Sequence, residues 1–368
     1  MDAFFSKEDT KLIKGIAIVW MIAHHLFMFP DRVMGGNLKS FFTFFDQGGA
    51  TYLGQFGNIC VSIFFFCSGY GIYLGCKNKK IDLLDKLKKL YCSYWKVFLI
   101  FIPIAFIFFS KQPIYCVDES ICSRYAEFKW DSFIKNMLGF DSSYNSEWWF
   151  FKSYVFALIT VPVIMKLVNR FSNVTNICLI ALGNIAVINF FPAIGKIECL
   201  GDLNSNFIYA NFLCQSYYIA SFWMGLAMAH GNLLVLLKDE LKEKKFLNPF
   251  TDILFMLLII YMRNSVIGNV IDFVYVPLMI VFCVDLLHAS RFVKKVFLCF
   301  GKRSTNMWLI HSFFCYYFYE AVKVITWTQV AVISLIELII MTYIAAVLVD
   351  LFWKEMSLLV LCIKRKRG

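Results

Sequence analysis

The residues with most to offer chemically sit in one apolar stretch near the N-terminus, where Lys14-Gly15-Ile16-Ala17 leads up to Ala23-His24-His25. A neutral imidazole takes a proton from a hydroxyl and passes it on, because it titrates near neutral pH. An ionisable group inside an apolar span is a functional candidate by default. Helical spacing separates the two rings. At about 100° per residue, Lys14 and His25 lie about 1100° apart, within about 20° of three full turns. They therefore share a face, about 16 Å apart along the axis. His24 points about 100° away from His25. The pattern predicts a cation at one membrane edge and a proton acceptor above it. The competing reading is a core histidine bonded to a neighbouring helix.

Other residues carry weaker signals. In the run Gly57 to Tyr70, Ser68 has no base beside it in sequence, and Gly69 and Gly71 read as sites of close helix approach. The basic run from Lys77 to Lys89 reads as a cytoplasmic anchor that can also hold the phosphates of a nucleotide-like donor. Glu337 is expected to pair across helices, and Glu320 with Lys323 along one helix face. Lys96 and Lys152 lie near span ends, where snorkelling suffices. Asp31 and Asp46 could orient an acceptor or His25. The 13 cysteines contain no CxxC, and no metal is expected. Most, such as Cys60, Cys67, Cys178, Cys214 and Cys283, fall in apolar runs, where Cys behaves as a small hydrophobe. Cys116 and Cys122 share one loop, and a disulfide there is an open alternative.

The elements that must position these groups are membrane helices. Of 368 residues, 60% are hydrophobic and only 17% charged, with mean hydropathy +0.66. A soluble domain carries about 25% charged residues, whereas a spanning helix needs roughly 20 mostly apolar ones. The sequence predicts an all-α, polytopic integral membrane protein of about ten transmembrane helices in a single domain over residues 1–368. The spans read as Leu12–Pro30, Gln55–Cys76, Leu90–Phe109, Trp148–Val168, Val174–Pro192, Ile208–His230, Phe250–Arg263, Ile267–His288, Ser304–Ile325 and Gln329–Phe352. A net charge of +11 would point to nucleic acid on a soluble protein. Here the cations sit between apolar segments, as topology signals and contacts to anionic lipid, so no nucleic-acid partner is expected. Lysines and arginines crowd alternate loops and the Lys364–Arg367 tail, while the other loops carry few, for example Arg32, Lys39, Lys111 and Arg124. By the positive-inside rule both termini are expected in the cytoplasm of a cell (plasma or inner) membrane, with the loop Ser110–Glu147 outside. No signal peptide is expected, because no small-residue cleavage site follows the first span.

Four motifs occur in order: the first span, the Phe-rich Ser68-Gly69-Tyr70 span, Trp148-Trp149-Phe150, and Gly301-Lys302-Arg303-Ser304 with Trp308-Leu309-Ile310-His311. Together they resemble the acyltransferase-3 family of membrane acyltransferases, which often modify surface polysaccharides. The resemblance implies an essential histidine at His25 and a basic partner at Lys14, where the family usually has Arg. It maps the family's paired arginines onto Lys86 and Lys89, which keep the charge and lose the bidentate fork. His311 falls on the ninth-span motif. The implied activity is O-acyl transfer, with acetyl-CoA or another acyl-CoA as donor and a hydroxyl of a cell-envelope glycan or lipid-linked sugar as acceptor. Direct transfer and an acyl-histidine relay both fit. The rival expectation is a transporter or flippase for a glycan or lipid-linked intermediate.

Overall fold

A computed structural model of the chain describes residues 5–44, 47–77, 81–197, 202–206, 208–209 and 218–367. Asp46, Lys79, Lys80, Cys214 and most of the first half of the expected span Ile208–His230 lie outside them. The described chain is almost wholly helical: α1 Lys7–Met28, α2 Gly49–Gly57, α3 Ile59–Cys76, α4 Leu83–Phe108, α5 Glu119–Cys122, α6 Trp130–Met137, α7 Trp149–Arg170, α8 Asn173–Ile185, α9 Phe191–Ile194, α10 Ile219–His230, α11 Leu233–Glu243, α12 Pro249–Tyr261, α13 Asp272–His288, α14 Arg291–Ser312, α15 Tyr319–Thr326 and α16 Ala331–Arg367. The described strands β1 Thr43–Phe44 and β2 Gln47–Gly48 pair antiparallel, with Thr43 opposite Gly48.

Among the described residues, eight helical segments are long and apolar enough to cross a membrane. A ninth is added if α10 and α11, bent by 76°, count as one span. The expected span Ser304–Ile325 is broken instead. Its first part closes α14, a helix that starts among Arg291, Lys294 and Lys295. A π-helical turn Phe313–Tyr317 follows, and Phe318 leaves the helical region at φ −105°, ψ 100° before α15.

The chain forms two compact units. One comprises Met1–Met21, Phe56–Leu84 and Trp149–Lys302; the other comprises Ile22–Gln55, Asp85–Trp148 and Arg303–Gly368. In the first unit, close helix crossings depend on glycine. A Cβ on Gly69 of α3 would collide with the Phe222 carbonyl of α10, and one on Gly225 with the Phe66 carbonyl. Gly71, by contrast, faces open space. Such small-residue contacts bring helix backbones together where lipid supplies no hydrophobic drive. In the second unit, α16 shows how side chains sort in a bilayer. Ser334, Leu338, Thr342 and Ala346, four apart, are fully buried, while Ile336, Ile340, Ile344 and Leu348 are exposed. Leu338 and three small or hydroxyl-bearing residues pack inward, while isoleucines and Leu348 face the lipid position.

The ends of α1 follow from local chemistry. Ser6 Oγ accepts from the Asp9 amide at 3.1 Å, and Asp9 Oδ2 accepts from the Ser6 amide at 2.9 Å. This is a capping box. The helix stops at Met28 because Phe29 precedes Pro30, which disfavours the helical region for its predecessor. The histidines therefore sit in the last turns of a helix whose register is set at both ends.

Candidate active site

His25 ends its helix against a group of polar side chains within the second unit. Its Nδ1 lies 3.3 Å from Oε2 of Glu147, which is itself only 6% exposed. The approach is off the line of a hydrogen bond. A carboxylate can only accept, so it favours the tautomer with hydrogen on Nδ1 and a lone pair on Nε2. Glu147 Oε1 accepts from Arg32 Nη1 at 3.3 Å and from Ser146 Oγ at 3.2 Å. The Arg32 guanidinium lies over the Phe29 ring at 4.7 Å, and Phe29 in turn stacks on His25 at 5.9 Å. Arg32 thus supplies the countercharge that a buried carboxylate needs.

Backbone contacts hold this arrangement. The Glu147 amide donates to Asn145 Oδ1 at 3.1 Å, and the Asn145 side-chain amide donates to Ser312 Oγ at 2.7 Å. Trp148 Nε1 donates to the Leu309 carbonyl at 3.0 Å, tying the short turn Ser146–Trp148 to the end of α14 within the second unit. The Tyr316 hydroxyl donates to the His25 carbonyl, one of the carbonyls that a helix end leaves unsatisfied.

His311 is the second imidazole of the site. Its ring centroid is 4.9 Å from that of His25, and the side chain is fully buried. Nδ1 lies 2.6 Å from the Trp308 carbonyl. A carbonyl only accepts, so this nitrogen carries the hydrogen and Nε2 is left as a lone pair. That Nε2 is buried with no hydrogen-bond partner. His24 differs: its Nδ1 is 2.8 Å from the Gly54 carbonyl of α2, which ties it to a neighbouring helix.

The other expected residues are placed as follows. Lys14 is half-buried on α1 in the first unit. Lys86 and Lys89 are three apart in the first turns of α4, and Lys89 Nζ pairs with Asp85 at 2.6 Å. Asp31 is exposed and meets the site through its carbonyl, which accepts from the Asp118 amide. Its neighbour Arg32 is the residue that engages Glu147. Glu337 accepts from Trp327 Nε1 at 3.2 Å, and Lys323 Nζ lies over the Tyr319 ring. Among the described residues no three His, Cys, Asp or Glu side chains group as a metal site.

Sequence reasoning passed over Glu147, Arg32 and Tyr316. A usable signal for Glu147 was its position: it is a carboxylate set directly before an apolar Trp-Trp-Phe run, at the depth where that span begins.

The sequence profile of the acyltransferase-3 family, described as an acyltransferase domain, matches residues 9–350. No curated protein and no solved structure matches the chain.

Proposed function

The chain belongs to the acyltransferase-3 family, and from that premise we propose that this membrane acyltransferase moves an acetyl group from acyl-CoA to a hydroxyl of a cell-envelope glycan or lipid-linked sugar. The observation that carries the reading is the His25 ring set between Glu147 and His311. In this reading His25 is the general base. Glu147 orients its ring and steadies the imidazolium, and Arg32 supplies the carboxylate's countercharge.

The reaction runs as one proton circuit. The acceptor O–H gives its proton to His25 Nε2 while the oxygen attacks the thioester carbonyl. The C–S bond breaks, and the CoA sulfur leaves with the proton returned from Nε2. No net proton is gained or lost. Lys14, Lys86 and Lys89 are assigned to the donor phosphates, as point charges rather than bidentate forks. Both termini lie in the cytoplasm and the Ser110–Glu147 loop outside, by the lysine and arginine asymmetry.

The test is acyl transfer from labelled acyl-CoA in membranes, together with mass spectrometry of surface glycans with and without the gene. An acetyl increment on a glycan that vanishes with the gene supports the reading. An unchanged glycan profile with no transfer of label contradicts it.

A further inference from the structure

The loop between α4 and α7 contains chemistry that acyl transfer does not use. Cys116 and Cys122, six positions apart, bring their Sγ atoms to 3.5 Å. Cys116 is half-buried and Cys122 buried. Local bonds hold both. The Tyr115 amide donates to Cys122 Sγ, and the Cys116 thiol to the Asp118 carbonyl, each at 3.4 Å. Gln112 Nε2 donates to the Cys122 carbonyl at 3.0 Å. A disulfide has S–S near 2.05 Å, so the sulfurs need only close by about 1.5 Å.

The same short segment grips the site from a second direction. The Asp118 amide donates to the Asp31 carbonyl at 2.9 Å, and Asp118 Oδ2 is 3.9 Å from Arg32 Nε. The Tyr115 hydroxyl donates to the Tyr316 carbonyl, and Tyr316 holds His25. The residues that set Arg32 and Tyr316 are therefore within or beside the loop that these two thiols would close.

We infer that Cys116 and Cys122 are joined by a disulfide in the working protein, and that this bond clamps the segment that positions Arg32. The placement of the loop outside the cytoplasm, where disulfides persist, and the clamp on Arg32 both rest on the proposed function. The chemistry is thiol–disulfide exchange. Two thiols give up two protons and two electrons to a disulfide oxidant, small or protein-borne, which is reduced to two thiols as the S–S bond forms. Burial and the neighbouring Cys122 thiol push the Cys116 thiol up to about 12. Its thiolate is therefore scarce at neutral pH.

The test uses the full chain purified from membranes quenched with iodoacetamide. Peptide mass spectrometry should recover the two cysteines in one cross-linked species that is alkylated only after reduction. Both cysteines alkylated without reductant would overturn the disulfide. This readout needs no activity, so it stands apart from any failure of the acyl-transfer reading. Cys116→Ser should leave Cys122 open to alkylation once the loop is loosened by mild detergent. For the clamp, reduction should lower labelled acyl transfer severalfold, and the Cys116→Ser/Cys122→Ser double variant should match the reduced wild type without further loss on reduction. An unchanged rate in the reduced protein would overturn the clamp.

Discussion

Two arginine–carboxylate pairs among the described residues, one in each compact unit, are built to opposite ends. In the first unit Arg263 grips Asp272 with two parallel bonds, Nε to Oδ1 at 2.7 Å and Nη2 to Oδ2 at 2.9 Å. Ser62 adds a third donor to Oδ2 at 3.1 Å. The remaining Arg263 nitrogen donates to the Phe56 carbonyl at 3.2 Å, near the break between α2 and α3. Side chains of both partners are 5% exposed or less. In the second unit Arg32 is 26% exposed and meets Glu147 through one 3.3 Å bond, leaving Glu147 Oε2 turned to His25. A saturated pair has no capacity left for a reacting group and acts as a clamp across helix ends. An unsaturated pair aimed at an imidazole can set a tautomer and steady a charge.

Glu147→Gln should break the comparison most sharply. The amide keeps the shape and loses the charge, so the His25 tautomer is no longer fixed. Transfer should fall by about 10²-fold or more, within the range of general acid–base contributions, at wild-type protein level. If the rate survives and the protein instead becomes unstable, Glu147 is a clamp like Asp272.

Asp272→Asn should do the converse. Removing one partner of a closed buried pair costs about 3–5 kcal/mol of stability, read as a lower unfolding temperature in detergent, while transfer per folded molecule stays near wild type. Replacing both partners with apolar side chains should recover much of the loss. An Asp272→Asn protein that is stable and inactive would move the chemistry to the first unit.

A smaller effect sharpens the donor assignment. Lys14→Glu, or Lys86→Glu with Lys89→Glu, should raise the KM for acyl-CoA by about tenfold, since each reversal sets a carboxylate against a phosphate. The kcat at saturating donor should hold, and Lys→Arg should be tolerated. An unchanged KM would leave these lysines as topology anchors.

How much of this was legible in the sequence depends on range. The helix bearing His25 was readable because its apolar period and Pro30 are local, while its start at the Ser6 cap was missed and placed at Leu12. The same periodicity separated His25 from His24, and the structure gives the two rings different partners, Glu147 and the Gly54 carbonyl. Arg32 and Glu147 are 115 positions apart, and no local pattern pairs them. The sequence reading picked Asp31 in the right loop and missed its neighbour, because which side chain turns inward is decided by a turn after Pro30 that periodicity does not reach. The break inside the expected ninth span was hidden for a related reason: an apolar run does not reveal a π-helical turn or the departure from helix at Phe318.

The most direct test compares the two histidines. Acyl transfer from labelled acyl-CoA in membranes, normalised to protein level, should be lost by about 10²–10⁴-fold in His25→Ala. His25→Asn should fail as well, because an amide takes no proton. His24→Ala should keep most of the wild-type rate, since that ring serves a neighbouring helix. Equal rates for His25→Ala and wild type, or an essential His24 beside a dispensable His25, would contradict the assignment of His25 as the base.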